Sequence, residues 1–226
     1  MKILGFGDSF IMACEGRETY IDMVANHFSG SADARGMWGS STWDAFFEYI
    51  NSDEDADVVI FAWSNSSRLY HPENRHICIY GCEANKGSPD PIWFAANQYF
   101  KYLYSKEKTD YELLAFYYWF DNYLKDKKPN TKFINLWSFP KDVNGDYYDS
   151  IKNFPENLVY FHEWKNSVEI RPALIHFSMS DGWPESNDLK NEVRDNHMTR
   201  DIHVKLSKII IRAIEEYEPG KIFKPL

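Results

Sequence analysis

"DVVIFAW", residues Asp57 to Trp63, is an unbroken run of β-branched, aromatic and small apolar residues after a single aspartate. Such a run does not alternate between a wet and a dry face, so it suits a central parallel strand covered on both sides. Two similar runs lie on either side of it in the sequence. Lys2 to Phe6 reads as a short buried strand opening the fold, and "KFINLWS", Lys132 to Ser138, as another. A further short strand is expected at Leu158 to Phe161. The intervening stretches carry helical spacing. Arg17 to Phe28 places Tyr20, Met23, Val24 and His27 on one face and stops at Ser29-Gly30. A second helix starts near Thr42 with Trp43, Phe46, Phe47 and Ile50 aligned. Ile92 to Tyr104 and Tyr111 to Leu124 read as two aromatic-rich helices. Thr199 to Tyr217 closes the chain with Ile202, Leu206, Ile209, Ile210 and Ala213 facing inward. Short buried strands alternating with helices predict an α/β fold: a three-layer α/β/α sandwich with a mainly parallel central sheet. One domain is expected over residues 1–226, with a surface excursion around 68–91 and an aromatic helical insertion around 92–126. Residues 139–196 otherwise read as irregular.

At 226 residues the chain can bury a sizeable core without disulfide or metal staples. Its net charge of −9 argues against a nucleic-acid or anionic-membrane surface, since phosphate binding needs clustered Lys and Arg. The acidic run Asp53, Glu54, Asp55 and Asp57 reads as a solvated turn. Three cysteines, Cys14, Cys78 and Cys82, are too few and too odd in number for a disulfide framework. No stretch approaches the ~18 apolar residues needed to span a bilayer, and the N-terminus has no signal-peptide pattern. The expectation is a soluble, cytoplasmic protein.

Sites in open α/β sheets collect where strands end and loops begin. Gly7-Asp8-Ser9 follows the first strand. "RGMWGSST" carries Gly39, and "AWSNSSR" carries Asn65 after the Asp57–Trp63 strand. "EVRDNHMTRDIH" places His197 just before the last helix.

In this order the four blocks resemble the SGNH (GDSL-type) hydrolases, a family of esterases and acetylesterases. Gly7-Asp8-Ser9 matches the family's nucleophile block, and "GMWGSST" is similar to the block that bears its oxyanion-hole glycine. "WSNSSR" is similar to the third block, with Trp63 and Ser66 standing where the family usually has Gly and Asp. "NHMT", with His203 six residues after His197, resembles the last block in the form common among phage-type members. The resemblance implies a flavodoxin-like sandwich and a serine esterase acting on small acyl groups, O-acetyl esters of carbohydrates among them. Ser9 would attack the ester carbonyl and His197 would take its proton. The Ser9 and Gly39 backbone N–H groups and the Asn65 side-chain amide would hold the oxyanion. The acid that orients His197 is open. Glu192 fits the acid-x-Arg-x-Asn-His spacing of the phage-type form, Asp195 lies nearer the family's usual position, and a dyad oriented by a backbone carbonyl is the third option.

No cofactor, metal, nucleic acid or membrane partner is expected; the partner is a small-molecule or glycan ester. Two other functions fit the same fold: a non-catalytic glycan-binding or virion-associated module, and an O-acyltransferase. Taken singly, Gly39 reads as a turn glycine and Asn65 as a loop residue bonded to its own backbone. Arg68 reads as an ion-pair partner of the acidic turn, and His203 as a packing residue. His76, Cys78 and Cys82, with His71 nearby, match no common zinc spacing and read as plain buried groups.

Overall fold

The computed structural model describes residues 1–13, 17–72, 77–139, 160, 162–180 and 198–225. β1 (Lys2–Gly7) leads to α1 (Tyr20–His27), β2 (Ser31–Gly36), α2 (Thr42–Ile50) and β3 (Val58–Trp63). Then come α3 (Ile79–Ala84), α4 (Pro91–Tyr102), α5 (Lys106–Lys127) and β4 (Lys132–Trp137). β5 (Val168–Ile170), α6 (Leu174–Met179), α7 (Arg200–Glu215) and β6 (Ile222–Phe223) complete the order. The six strands form one sheet in the order β2-β1-β3-β4-β5-β6, with every pairing parallel. This is the flavodoxin-like winding, in which the chain steps outward from β1 to β2 and then returns past β1 to β3.

The burial of each strand follows its place in the sheet. β3 is buried at every position, as its continuous apolar run demands. Phe61 and Trp63, two residues apart and so on one face, stack at 4.5 Å. On that face they meet Phe116 and Phe120 of α5, and Phe46 of α2 packs against the same two phenylalanines. α1 and α7 pack together on the opposite face, where Tyr20 stacks on His203 at 5.8 Å. Rings thus fill one layer and aliphatic side chains, chiefly Ile202, Leu206, Ile210 and Ile214, fill much of the other.

Two strands that depart from the sequence reading do so for physical reasons. β2, "SADARG", carries no apolar run because it is an edge strand, with Ser31 and Asp33 exposed and Arg35 tied to Asp33 and Glu54. β5 and α6 lie inside a stretch that reads as irregular. β5 was hidden by a charge at its centre, for Glu169 is 1% exposed and accepts from Trp137 Nε1 at 2.8 Å and Arg171 Nε at 2.5 Å. Tyr160 lies outside any strand, and the rest of the strand expected at 158–161 falls outside the described residues. No helix among the described residues is long and apolar enough to cross a membrane.

Candidate active site

Adjacent parallel strands lie about 4.8 Å apart, so loops leaving neighbouring strands at one edge are drawn together. Gly7 pairs with Gly36 on one side and Ala62 on the other. The loops after β2, β1 and β3 therefore leave the same edge side by side, at the switch point between β1 and β3. These loops carry Gly39, Ser9 and Asn65.

Ser9 is 4% exposed and sits at the first corner of a turn closed by Ile11 N–H donating to the Asp8 carbonyl at 3.0 Å. Asp8 shapes that turn. Its Oδ1 accepts from Phe10 N–H at 3.1 Å and from Ser138 Oγ at 2.9 Å, the latter at the end of β4. Gly36 permits the arrangement, because a Cβ there would lie 2.4 Å from the Asp8 carbonyl oxygen.

Gly39 has φ of 67°, in the left-handed region that favours glycine. It forms the apex of a turn in which Ser40 N–H donates to the Met37 carbonyl at 3.3 Å. The turn stands on β1, since Met37 N–H and Ser40 Oγ both donate to the Gly7 carbonyl, at 3.2 and 2.9 Å. α2 follows directly. Its N-cap Ser41 and Asp44 form a reciprocal capping box, which anchors the loop's far end.

Asn65 Oδ1 accepts from Ser67 N–H at 3.2 Å and Ser67 Oγ at 2.8 Å. This occupies the amide's acceptor and leaves its NH2 without a partner among the described residues. Trp63 and Ser66, the two departures from the family block, have structural work. Trp63 is fully buried, donates from Nε1 to Asn135 Oδ1 at 2.8 Å and stacks on Trp164. Ser66 is buried.

Arg68 does not pair with the acidic turn. Its Nη1 donates to Asp8 Oδ2 at 3.2 Å and to the Ser40 carbonyl at 3.1 Å, and its guanidinium lies 5.1 Å from the centre of the Phe139 ring. The acidic turn is served instead by Lys2 and Arg35 on Glu54 and by Lys128 on Asp55. The sequence reading missed Asp8 as a buried hub and Arg68 as its partner. Burial decides the pairing: Asp8 is fully buried, and a buried carboxylate needs donors from elsewhere in the chain.

Glu192, Asp195 and His197 lie outside the described residues. Met198, the next described residue, is 1% exposed, and Thr199 caps α7 by accepting from Ile202 N–H at 3.4 Å. His203 Nδ1 accepts from Tyr20 N–H at 3.1 Å, which occupies that nitrogen in packing α7 against α1. Burial, with a lesser push from the Asp8 charge, raises the Tyr20 phenol pKa well above its ordinary value. Cys78 caps α3, its Sγ accepting from Gly81 N–H at 3.3 Å, and Cys82 is buried. No group of three metal-ligating side chains is gathered among the described residues, and His76 lies outside them.

No family model matches the chain, and no curated protein matches it. Three solved structures are similar, all of Axe2 from Geobacillus stearothermophilus. A catalytic mutant of this acetylxylan esterase is 14% identical, covers 94% of this chain and 93% of its own, and has a TM-score of 0.45. A tryptophan variant of the enzyme is 14% identical over 94% of both chains, with a TM-score of 0.44. A second tryptophan variant, described as an acetyl-xylooligosaccharide esterase, is 13% identical over 94% of this chain and 93% of its own, with a TM-score of 0.45.

Proposed function

We propose that the chain is a serine ester hydrolase of SGNH type, acting on small acyl esters and in particular on O-acetyl groups of carbohydrates. The observation that carries this reading is the convergence of the Ser9, Gly39 and Asn65 loops at the β1/β3 switch point, with the Asn65 acceptor already occupied and its donor left over. Ser9 Oγ attacks the acyl carbon as its proton passes to His197, and the carbonyl electrons move to oxygen. The Ser9 and Gly39 N–H groups and Asn65 Nδ2 donate to that oxyanion. Its collapse expels the alcohol, which leaves with the proton from His197. Water, deprotonated by the same histidine, then releases the acid and restores Ser9. Glu192, Asp195 or a backbone carbonyl orients the imidazole, and no cofactor is needed for any step.

Hydrolysis of p-nitrophenyl acetate by wild type and Ser9→Ala tests the reaction. Wild type is expected to turn over while Ser9→Ala falls to the background rate; equal rates would overturn the hydrolase. Acetate release from an acetylated xylo-oligosaccharide tests the substrate class. Comparing Glu192→Gln with Asp195→Asn identifies the acid, and unchanged kcat in both leaves the dyad.

A further inference from the structure

We propose that Arg68 is a positioning residue for this site: it cancels the buried charge of Asp8 and holds the Gly39 turn in register with Ser9. The proposal rests on the ester-hydrolase reading of Ser9. Asp8 is fully buried and stands one residue before the nucleophile. An uncompensated carboxylate there would oppose every oxyanion formed at Ser9, since charges act strongly on one another where water is excluded. Two of its contacts, from Phe10 N–H and Ser138 Oγ, are neutral donors and leave that charge in place. Arg68 supplies the cation through Nη1 on Asp8 Oδ2. The same nitrogen donates to the carbonyl of Ser40, the residue after Gly39. A single group thus joins the loops after β1, β2 and β3, and its stacking on Phe139 adds the loop after β4. Its side chain is only 15% exposed, so the arrangement is held by packing as well as by charge.

A group of this kind acts on the transition state more than on substrate binding, so its loss belongs in kcat. The test is steady-state hydrolysis of p-nitrophenyl acetate by wild type, Arg68→Met, Arg68→Lys and the double variant Asp8→Asn/Arg68→Met. Active sites are counted by complete reaction with diethyl p-nitrophenyl phosphate, which releases one p-nitrophenol for each activated serine it phosphorylates. Arg68→Met is expected to lower kcat per site by roughly 30-fold with KM held within about twofold. Arg68→Lys keeps the charge but not the planar fork and is expected to lose about 3- to 10-fold. The double variant leaves no buried charge uncompensated, and is expected to recover at least about threefold over Arg68→Met.

A merely structural role would lower the thermal midpoint and the number of active sites while leaving kcat per site unchanged; that result overturns the proposal. A rise in KM at constant kcat also overturns it, because Arg68 would then be a substrate contact. Should Arg68→Met fail to melt cooperatively, Arg68→Lys decides by the same criterion, a lowered kcat supporting the role and an unchanged one overturning it. Wild type that neither labels nor turns over above Ser9→Ala removes the esterase reading and this inference together. Wild type that does both, beside an equally active Arg68→Met, removes this inference alone.

Discussion

The hydrogen bonds of Asn65 among the described residues engage only the oxygen of its amide. The oxygen closes the turn onto Ser67, so the side chain is fixed before any ligand arrives. In the proposed reaction the NH2 group donates to the oxyanion without reorganising, which is the condition under which such donors are effective. Replacing it in Asn65→Ala is expected to lower kcat for p-nitrophenyl acetate by about 100- to 1000-fold with little change in KM. A KM effect alone would show that Asn65 binds substrate without stabilising the transition state. The loops of Ser9 and Asn65 were legible because each is a short block of turn-forming residues at the end of an apolar run, and that of Gly39 because it is rich in glycine and serine. Arg68 was not. The acidic turn offered it several carboxylates, whereas Asp8, its actual partner, looked like part of a tripeptide motif. The choice between them depends on burial, since a solvated carboxylate needs no partner and a buried one does.

The helices and strands that carry these residues differ in how openly they declare themselves. α7 shows its inward face by spacing alone, with Ile202, Leu206, Ile209, Ile210 and Ala213 all buried. α2 starts at Thr42, as expected, but Phe46 alone of its aligned set is buried and Ile50 is exposed. β2 and β5 do not declare themselves, because an edge strand and a strand centred on an ion pair both lack an apolar pattern. The layer between α5 and the sheet is bound by ring packing. Phe120 is fully buried and meets Phe46, Tyr49, Phe61, Trp63 and Phe116 within 6 Å. Phe120→Ala leaves a cavity among rigid neighbours and is expected to destabilise the protein by about 3–5 kcal/mol, read as a lowered urea midpoint at constant m-value. A loss below about 1 kcal/mol would mean that α5 is not anchored through this ring.

The whole molecule responds to acid through groups outside the proposed catalytic set. His176 in α6 is 8% exposed, and burial holds its pKa down at about 4 instead of 6.5. The unfolded chain therefore takes up a proton near pH 6.5 that the folded protein refuses until about pH 4. Stability is fully present above that window and is lost as pH falls through it, by up to about 3 kcal/mol. Urea midpoints measured from pH 7.5 to 4 are expected to fall for wild type and to fall less for His176→Gln; parallel slopes would exclude the histidine. Asp121 adds loss at lower pH. Burial alone would raise its pKa, but hydrogen bonds from His162 and from Lys165 and Asn166 N–H outweigh it and leave the net shift downward. A carboxylate so depressed contributes stability above its ordinary pKa and loses it as pH falls through the folded value. The runs of β1, β3 and β4, the inward face of α7 and the turn-forming loops were available from the chain itself because each rests on neighbours a few positions away. The winding β2-β1-β3-β4-β5-β6, and with it the joining of Asp8 to Arg68 and Ser138 across 60 and 130 residues, came only with folding. Strand order is set by which faces the helices cover, and no local pattern encodes that.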